Sequence, residues 1–216
     1  TRRSAPDRFY LGALKFAWDL GSTKLISDTS YYHRKDETGY DGTLYNLGFY
    51  QTFFGPNFGL MNPLMVDGTG VHLPPGLTNY RSPASVDNYQ QNITQEIRLQ
   101  SNDPDAKLIW TTGIFFSQNR QRYLEQIHDP LLPELTLAAA GAVYTDIFTD
   151  LDGNPTPFDS RYPNDSYWLL TNAKDQQIAS YGEGTYSFTD QFKLTVGARY
   201  SKSKYSFTSF TGGPQL

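Results

Sequence analysis

Residues 177–204 read QIASYGEGTYSFTDQFKLTVGARYSKSK, and this segment predicts a hairpin of two β-strands. From Phe192 to Tyr200 every second residue is apolar, and the residues between them are polar, charged or glycine. Successive side chains of an extended chain point to opposite faces, so this strand has one apolar and one polar face. A polar turn, Thr189–Gln191, joins it to a preceding segment that alternates more weakly. Aromatic residues beside a turn and charges on the opposite face are typical of an outer-membrane barrel.

Four further segments alternate in the same way and pair into two more hairpins. The short turn Leu20–Ser22 joins the first pair, and Asn102–Ala106 joins the second. Each pair again carries aromatic residues close to its turn, namely Trp18 and Trp110. The predicted strands cover about residues 8–19, 23–34, 91–101, 107–118, 177–188 and 192–204.

Two long segments between these hairpins lose the alternation and are rich in Gly, Pro and Asn. They cover about residues 36–88 and 120–174, and each predicts a loop far longer than the usual connection of about 4–6 residues. The first loop has a further strand at Tyr45–Phe54 as an alternative, and the second predicts a short helix over Pro133–Ala142 that begins at its proline. Residues 207–216 predict a third loop.

The order strand, short turn, strand, long loop therefore repeats three times. Strands of about 10 residues with short turns at one end and long loops at the other are the pattern of a transmembrane β-barrel. The predicted fold class is all-β, an antiparallel up-and-down transmembrane barrel segment of about six strands, with short periplasmic turns and long extracellular loops. A soluble β-sandwich is the alternative, although short connections at both ends would be expected of it.

Three parts of the chain resemble barrel strands of TonB-dependent outer-membrane receptors. They are Gln95–Ser101 (QEIRLQS), Trp110–Phe116 (WTTGIFF), and Tyr181–Tyr186 (YGEGTY) followed by Leu194–Tyr200 (LTVGARY). The resemblance implies a barrel of about 22 strands that is closed by a plug domain. It also implies a place in the outer membrane of a Gram-negative bacterium, in contact with its lipid, and energy supplied by the TonB complex through the plug. The implied function is import of a scarce nutrient such as an iron–siderophore complex, a vitamin or a sugar.

The chain also departs from the pattern of that family. It shows no N-terminal TonB box, no plug domain and no last strand that ends in an aromatic residue. Six strands are too few to close a barrel, since the smallest known barrels have about eight strands. We therefore interpret the chain as an internal fragment of one receptor barrel domain.

Composition narrows the possible functions. Aromatic residues make up 15% of the chain, with 16 Tyr and 14 Phe, and such residues favour strands and membrane interfaces. A net charge of -4 without a basic cluster argues against a nucleic-acid partner. The absence of Cys excludes disulfides and thiolate metal sites. No run of 18 apolar residues predicts a membrane-spanning helix.

The sequence offers no catalytic or metal motif. The three histidines lie too far apart in the sequence to show the spacing of metal ligands; they are His33, His72 and His128. The segment Asp146–Asn154 resembles a calcium-binding loop but lacks the Glu that would complete the ligand set. A plain Asp-Gly-Asn turn is therefore the simpler interpretation. No Gly-x-Ser-x-Gly nucleophile motif occurs. We predict that the protein binds no cofactor and is not an enzyme.

Charged residues at polar-face positions are the first group of candidate functional residues. They either pair with one another and with the plug or guide the substrate through the lumen. The predicted lumen-facing residues are Lys15, Asp28, Glu96, Arg98, Glu183 and Arg199.

Aromatic residues and arginines of the long loops are the second group. Stiff aromatic side chains with a few polar groups make a binding surface for a small molecule, although packing within the loops is the alternative role. The ligand-binding candidates are Tyr45, Tyr50, Phe53, Phe54, Arg81, Arg161, Tyr162 and Trp168.

Two other functional classes remain open on the sequence. A soluble all-β carbohydrate-binding module would use Trp18, Trp110 and Trp168 as sugar-stacking platforms on one concave face, whereas a barrel would place tryptophans beside the turns on the lipid side. A barrel enzyme of the outer-membrane lipase kind would need adjacent Ser and His residues at the rim, and the sequence shows no such pair.

Overall fold

The computed structural model describes residues 5–43, 46, 47, 66, 67, 70, 71, 73 and 76–215. Six long strands in this part form one antiparallel sheet in which each strand pairs with the next long strand along the chain. The sheet is open, because within the described residues its first and last strands each pair on one side only. In sheet order, the strands are β1 (Asp7–Asp19), β2 (Thr23–Asp41), β5 (Pro83–Ser101), β6 (Leu108–His128), β7 (Asp165–Ser187) and β8 (Lys193–Gly212). A separate two-residue pair consists of β3 (Val66–Asp67) and β4 (Gly70–Val71).

The strand register aligns the alternating patterns of all six strands, which confirms the predicted all-β, up-and-down architecture. One row across the sheet, in order from β1 to β8, consists of Phe16, Ser27, Ile97, Ile114, Ser180 and Tyr200. These residues and those at every second position from them form what we call the apolar face, and the intervening residues form the polar face. Because none of the described residues forms a second layer over this face, Val196 is 67% exposed and Ile114 56% exposed. Such a continuous apolar surface requires a non-aqueous environment.

A compact apolar core lies at the long-loop end of the sheet. Its buried members, Leu47, Tyr80, Leu132, Leu135 and Phe148, come from both long connections.

Two short helices hold one side of this core, α1 (Leu132–Ala140) and α2 (Tyr144–Ile147). Pro133 lies in the first turn of α1, as predicted, and α1 ends at Gly141, whose φ of 67° suits glycine. None of the helices in the described ranges is long and apolar enough to cross a membrane.

The strands extend further toward the loop core than the alternation predicts. β2 continues to Asp41 rather than residue 34, β6 continues to His128 rather than 118, and β7 begins at Asp165 rather than 177. Likewise β5 begins at Pro83 rather than 91, and β8 runs to Gly212, so most of the third predicted loop is strand. The two long connections are accordingly shorter, residues 42–82 and 129–164. In these extensions both faces carry polar residues, so the sequence shows no alternation there. The extensions are held in the sheet by backbone hydrogen bonds to the neighbouring strands.

Candidate functional site

All six charged residues predicted to face a lumen lie on the polar face. The register places Lys15, Asp28 and Glu96 in one row across three strands. Asp28 forms ion pairs with two cations, since its carboxylate oxygens lie 3.9 Å from Lys15 Nζ and 3.6 Å from Arg98 Nη2. Arg98 Nη1 also lies 3.2 Å from Glu96 Oε1. The sheet therefore brings four of the six residues into one charged network.

Tyr181 adds a fifth side chain to this network from two strands away. Its register partner on β6 is Gly113, and its hydroxyl donates a hydrogen bond of 2.5 Å to Glu96 Oε1 on β5. A Cβ atom on Gly113 would lie 2.7 Å from Tyr181 Oη and 2.9 Å from the carbonyl oxygen of Ile97. Because Gly113 has no side chain, the ring of Tyr181 can lie across β6 and reach Glu96. Sequence reasoning missed this contact, and an isolated glycine inside a strand was the available signal.

Arg199 differs from the other cations because it contacts aromatic rings. Its Cζ lies 5.6 Å from the ring centroid of Phe115 and 5.8 Å from that of Tyr181. Within the described residues Arg199 forms no ion pair, so its charge is stabilised by the rings but not neutralised. Glu183, the sixth predicted residue, packs over Gly197 and is also unpaired in the described part of the chain.

A depression of about 270 Å³ opens on the polar face beside this network. Its lining includes Lys15, Asp28, Ser30, Glu96 and Phe115. The two ion pairs of Arg98 are about one third exposed and Lys15 is 62% exposed, so each pair contributes at most about 1 kcal/mol. The depression is therefore lined by both charged groups and hydroxyl groups.

Three of the predicted ligand-binding residues meet at the loop end of the sheet. Arg161 Cζ lies 4.6 Å from the ring centroid of Trp168, and the ring of Tyr162 lies 5.2 Å from that of Trp168. Trp168 is only 1% exposed and belongs to β7, not to a loop as predicted. An approaching molecule would therefore meet Arg161 and Tyr162 first. Asp159 Oδ2 lies 2.7 Å from Arg161 Nη2, and this hydrogen bond raises the pKa of Arg161.

Arg81 lies at the edge of the loop core. Its Nη1 donates a hydrogen bond of 2.7 Å to the carbonyl oxygen of Tyr80, whose own hydroxyl donates to Asp129 Oδ2 at 2.6 Å. Burial, followed by the Asp129 carboxylate, raises the pKa of Tyr80 far above its usual range. Arg81 is thus fixed to a rigid, buried pair while remaining exposed. The other predicted ligand residues, Tyr45, Tyr50, Phe53 and Phe54, lie outside the described residues.

The two histidines in the described part of the chain lie far from each other. His33 stacks edge-on against Tyr89 at 5.0 Å, and His128 Nδ1 lies 3.1 Å from Asp165 Oδ1 in another part of the sheet. His72 lies outside the described residues. Across the part that is described, no three His, Asp or Glu side chains are grouped closely enough to hold a metal ion.

The acidic segment at residues 146–154 forms a closed turn. Asp150 Oδ1 accepts hydrogen bonds from the backbone amides of Asp152 at 2.9 Å and Asn154 at 2.8 Å. The bonds from Asn154 lower the pKa of Asp150 most strongly. The Asp-Gly-Asn turn therefore accounts for the residues that resemble a calcium loop.

The tryptophans do not form a common platform. Trp18 lies on the apolar face beside the short turn after β1 and is 57% exposed, and Trp110 lies on the same face near the start of β6. Trp168 is buried at the opposite, loop end of the sheet. This arrangement gives no support to a carbohydrate-binding face and agrees with tryptophans at a membrane interface.

Comparison with known proteins gives one family. The family described as TonB dependent receptor-like, beta-barrel matches residues 2–215. No curated protein matches the chain.

Proposed function

Because the chain belongs to the TonB-dependent receptor β-barrel family, we propose that it forms part of the wall of a transporter for a scarce small molecule. Members of this family are transporters of the outer membrane rather than enzymes, and they act with the TonB complex. The specific cargo that we propose is an anionic iron chelate of the siderophore type. Vitamins and sugars are the alternative cargoes.

The observation that supports this proposal most directly is the difference between the two faces of the sheet. The apolar face exposes Ile114, Val196 and Tyr200, which suits contact with lipid. The opposite face carries the network around Asp28 and Glu96. We propose that this polar face lines the lumen and that its charges either contact the plug or guide the cargo.

Unneutralised cations favour an anionic cargo. Arg199 is held over two aromatic rings without an ion pair in the described part of the chain, and a cation in that position attracts an anion with aromatic groups. At the loop end, Arg81 is exposed and is held in place by the carbonyl oxygen of Tyr80. Arg161 is exposed too, but its charge is paired with Asp159. Arg81 and Arg199 would contact the chelate in turn as it passes from the loops to the lumen.

The orientation of the sheet can be tested in native outer membranes. Single cysteines replace Val196 and Arg199 in the full-length receptor and are labelled with a fluorophore, and a quencher buried in the lipid is added. We expect quenching at position 196 and none at 199, because the two side chains point to opposite faces. Equal exposure of both labels to water would contradict the proposal.

The cargo can be tested by uptake of radiolabelled compounds into cells that depend on this receptor. We expect uptake of an anionic iron chelate, reduced about tenfold by Arg199→Gln through loss of one charge–anion contact worth about 1.4 kcal/mol. Lys193→Gln is the matched control, because Lys193 lies on the same strand and face without contacting the network. Uptake of a vitamin or a sugar but of no iron chelate would replace the proposed cargo.

A further inference from the structure

The apolar face changes character along the strands. On β6 its apolar part runs from Leu108 to Phe116, eight residue steps of about 3.3 Å, or about 26 Å along the strand. With strands tilted by about 45°, this corresponds to a height of roughly 19 Å, close to the apolar band of a barrel. Tyrosines follow at the upper boundary of this band, as in an aromatic girdle. They are Tyr10, Tyr31 and Tyr89.

Cations on three adjacent strands lie beside and above this boundary on the same face. We call them the outer basic cluster. All except the half-buried Lys174 are exposed. The members are Arg120 and Arg122 on β6, Lys174 on β7, and Lys202 and Lys204 on β8.

Two members of the outer basic cluster directly oppose each other. Arg120 and Lys174 are register partners on neighbouring strands, and like charges in this position repel. Neither forms an ion pair within the described residues. The acidic side chains on this face include Glu37 on β2, which is paired with Lys35 at 2.7 Å, and Asp165 on β7, which lies 3.1 Å from His128 at the loop end. The cluster therefore carries a local positive charge that the described part of the chain does not neutralise.

A depression of about 230 Å³ lies next to Arg120 on this face. It is lined by Tyr31, Gln91, Ile93, Gln118 and Arg120. Gln91 Nε2 donates a hydrogen bond of 3.1 Å to Tyr31 Oη, and Gln118 Oε1 accepts one of 3.0 Å from Gln176 Nε2. Amide and hydroxyl groups thus stand above an apolar floor, an arrangement that suits a sugar headgroup with acyl chains below it.

We propose that the outer basic cluster and this depression bind the phosphorylated headgroup of the anionic glycolipid in the outer leaflet. Arg120 and Lys174 contact its phosphates, the depression takes a sugar unit, and the acyl chains pack on Ile93 and Phe116. Arg120 is four residues beyond Phe116, about 13 Å along the strand or about 9 Å along the membrane normal. That height corresponds to the headgroup layer, since the headgroups add several ångströms on each side of the hydrocarbon core. The inference rests on the proposed orientation, with the long loops outside the cell.

The location separates this site from the route of the cargo. Arg120 and Lys174 point to the apolar face, whereas Arg199 and the Asp28 network point to the polar face. A cluster on the lipid side does not meet a molecule that passes through the lumen. Glycolipid binding and chelate uptake therefore depend on different residues.

Binding can be measured with the full-length receptor, delipidated in a neutral detergent and titrated with lipid A that carries both of its phosphates. The test variant is Arg120→Gln with Lys174→Gln. The matched control is Lys24→Gln with Lys193→Gln, which removes the same charge from the polar face at the short-turn end. At about 1 kcal/mol for each cation, we expect about thirtyfold weaker binding by the test variant and unchanged binding by the control. Dephosphorylated lipid A should bind both variants and the unaltered receptor equally weakly.

Several results would overturn the proposal. They are equal affinity of the test and control variants for lipid A, undiminished binding of dephosphorylated lipid A, or a preference for phosphatidylglycerol, which would assign the cluster to another lipid. If the test variant does not fold, Arg122→Gln with Lys204→Gln removes two other members of the cluster and is expected to weaken binding about tenfold or more. Chelate uptake, measured in parallel, should be unchanged in all these variants. Absence of chelate uptake by the unaltered receptor, with its binding of lipid A intact, would count against the cargo proposal alone.

Discussion

Tyr181 donates a 2.5 Å hydrogen bond to Glu96 across an intervening strand. The ring passes over Gly113, where a Cβ atom would come within 2.7 Å of the tyrosine oxygen. Glu96 also lies 3.2 Å from Arg98, which lies 3.6 Å from Asp28. One glycine therefore connects a tyrosine on β7 with a chain of charges on β5 and β2, and this connection ties four of the six strands together on the polar face.

We expect Gly113→Ala to destabilise the receptor. The new methyl group displaces Tyr181 and breaks its hydrogen bond to Glu96, at a cost of about 1–3 kcal/mol in the free energy of unfolding. Tyr181→Phe removes only the hydrogen bond and should cost about 1 kcal/mol. Gly12→Ala is the control, because no atom lies within 4 Å of a Cβ at Gly12. Urea unfolding of the full-length receptor in detergent measures all three, and an equal effect of Gly113→Ala and Gly12→Ala would contradict the assigned role.

The pattern of Phe192–Tyr200 was sufficient to predict the faces of the sheet, because membrane strands must keep one side apolar throughout. For the same reason the six charged residues could be placed on a common face. The part of β6 from Asn119 onward could not be predicted, since outside the lipid neither face needs to be apolar and no periodicity remains. Nor could the sequence predict which polar-face residues touch, because Tyr181 and Glu96 are 85 residues apart and meet only through the register of three strands.

Gly212→Ala tests the packing of Trp168 at the loop end. A Cβ at Gly212 would lie 2.5 Å from the indole ring, which is 1% exposed, so the ring must move. We expect a loss of about 1–3 kcal/mol in unfolding free energy and weaker contact of Trp168 with Arg161 and Tyr162. A red shift of tryptophan fluorescence, measured with Trp18 and Trp110 replaced by Phe, reports the exposure of the ring. Gly184→Ala is the control, because its Cβ would meet Leu108 at an ordinary 3.7 Å; an unshifted spectrum of Gly212→Ala would show that the site tolerates a side chain.

The Asp150 turn should open in acid. Hydrogen bonds from Asn154 lower the pKa of Asp150 below its usual 3.8 in the folded protein. A carboxyl group with a depressed folded pKa contributes stability above its unfolded pKa, and this contribution is lost as the pH falls through the lower, folded value. We therefore expect hydrogen exchange of the amides of Asp152 and Asn154 to accelerate when the pH falls below about 3.8, after correction for intrinsic exchange. Asp150→Ala removes the accepting oxygen and should show fast exchange at every pH, whereas Asp152→Asn should behave as the unaltered chain. Protection that persists unchanged in acid would refute the role of the carboxylate.

Because Arg120 and Lys174 repel each other, we expect Lys174→Gln to change the stability of the receptor in opposite directions without and with bound glycolipid. In detergent without glycolipid, Lys174→Gln removes a like-charge pair and should raise the unfolding free energy by about 0.2–1 kcal/mol. With bisphosphorylated lipid A at saturation, the same substitution should lower the midpoint temperature of unfolding relative to the unaltered receptor, because a ligand that binds the folded state stabilises it in proportion to its affinity. Lys204→Gln separates repulsion from binding, since Lys204 faces the uncharged Gln176 and its substitution should not stabilise the lipid-free receptor. A stabilising effect of Lys174→Gln in both environments would mean that no phosphate comes between the two cations.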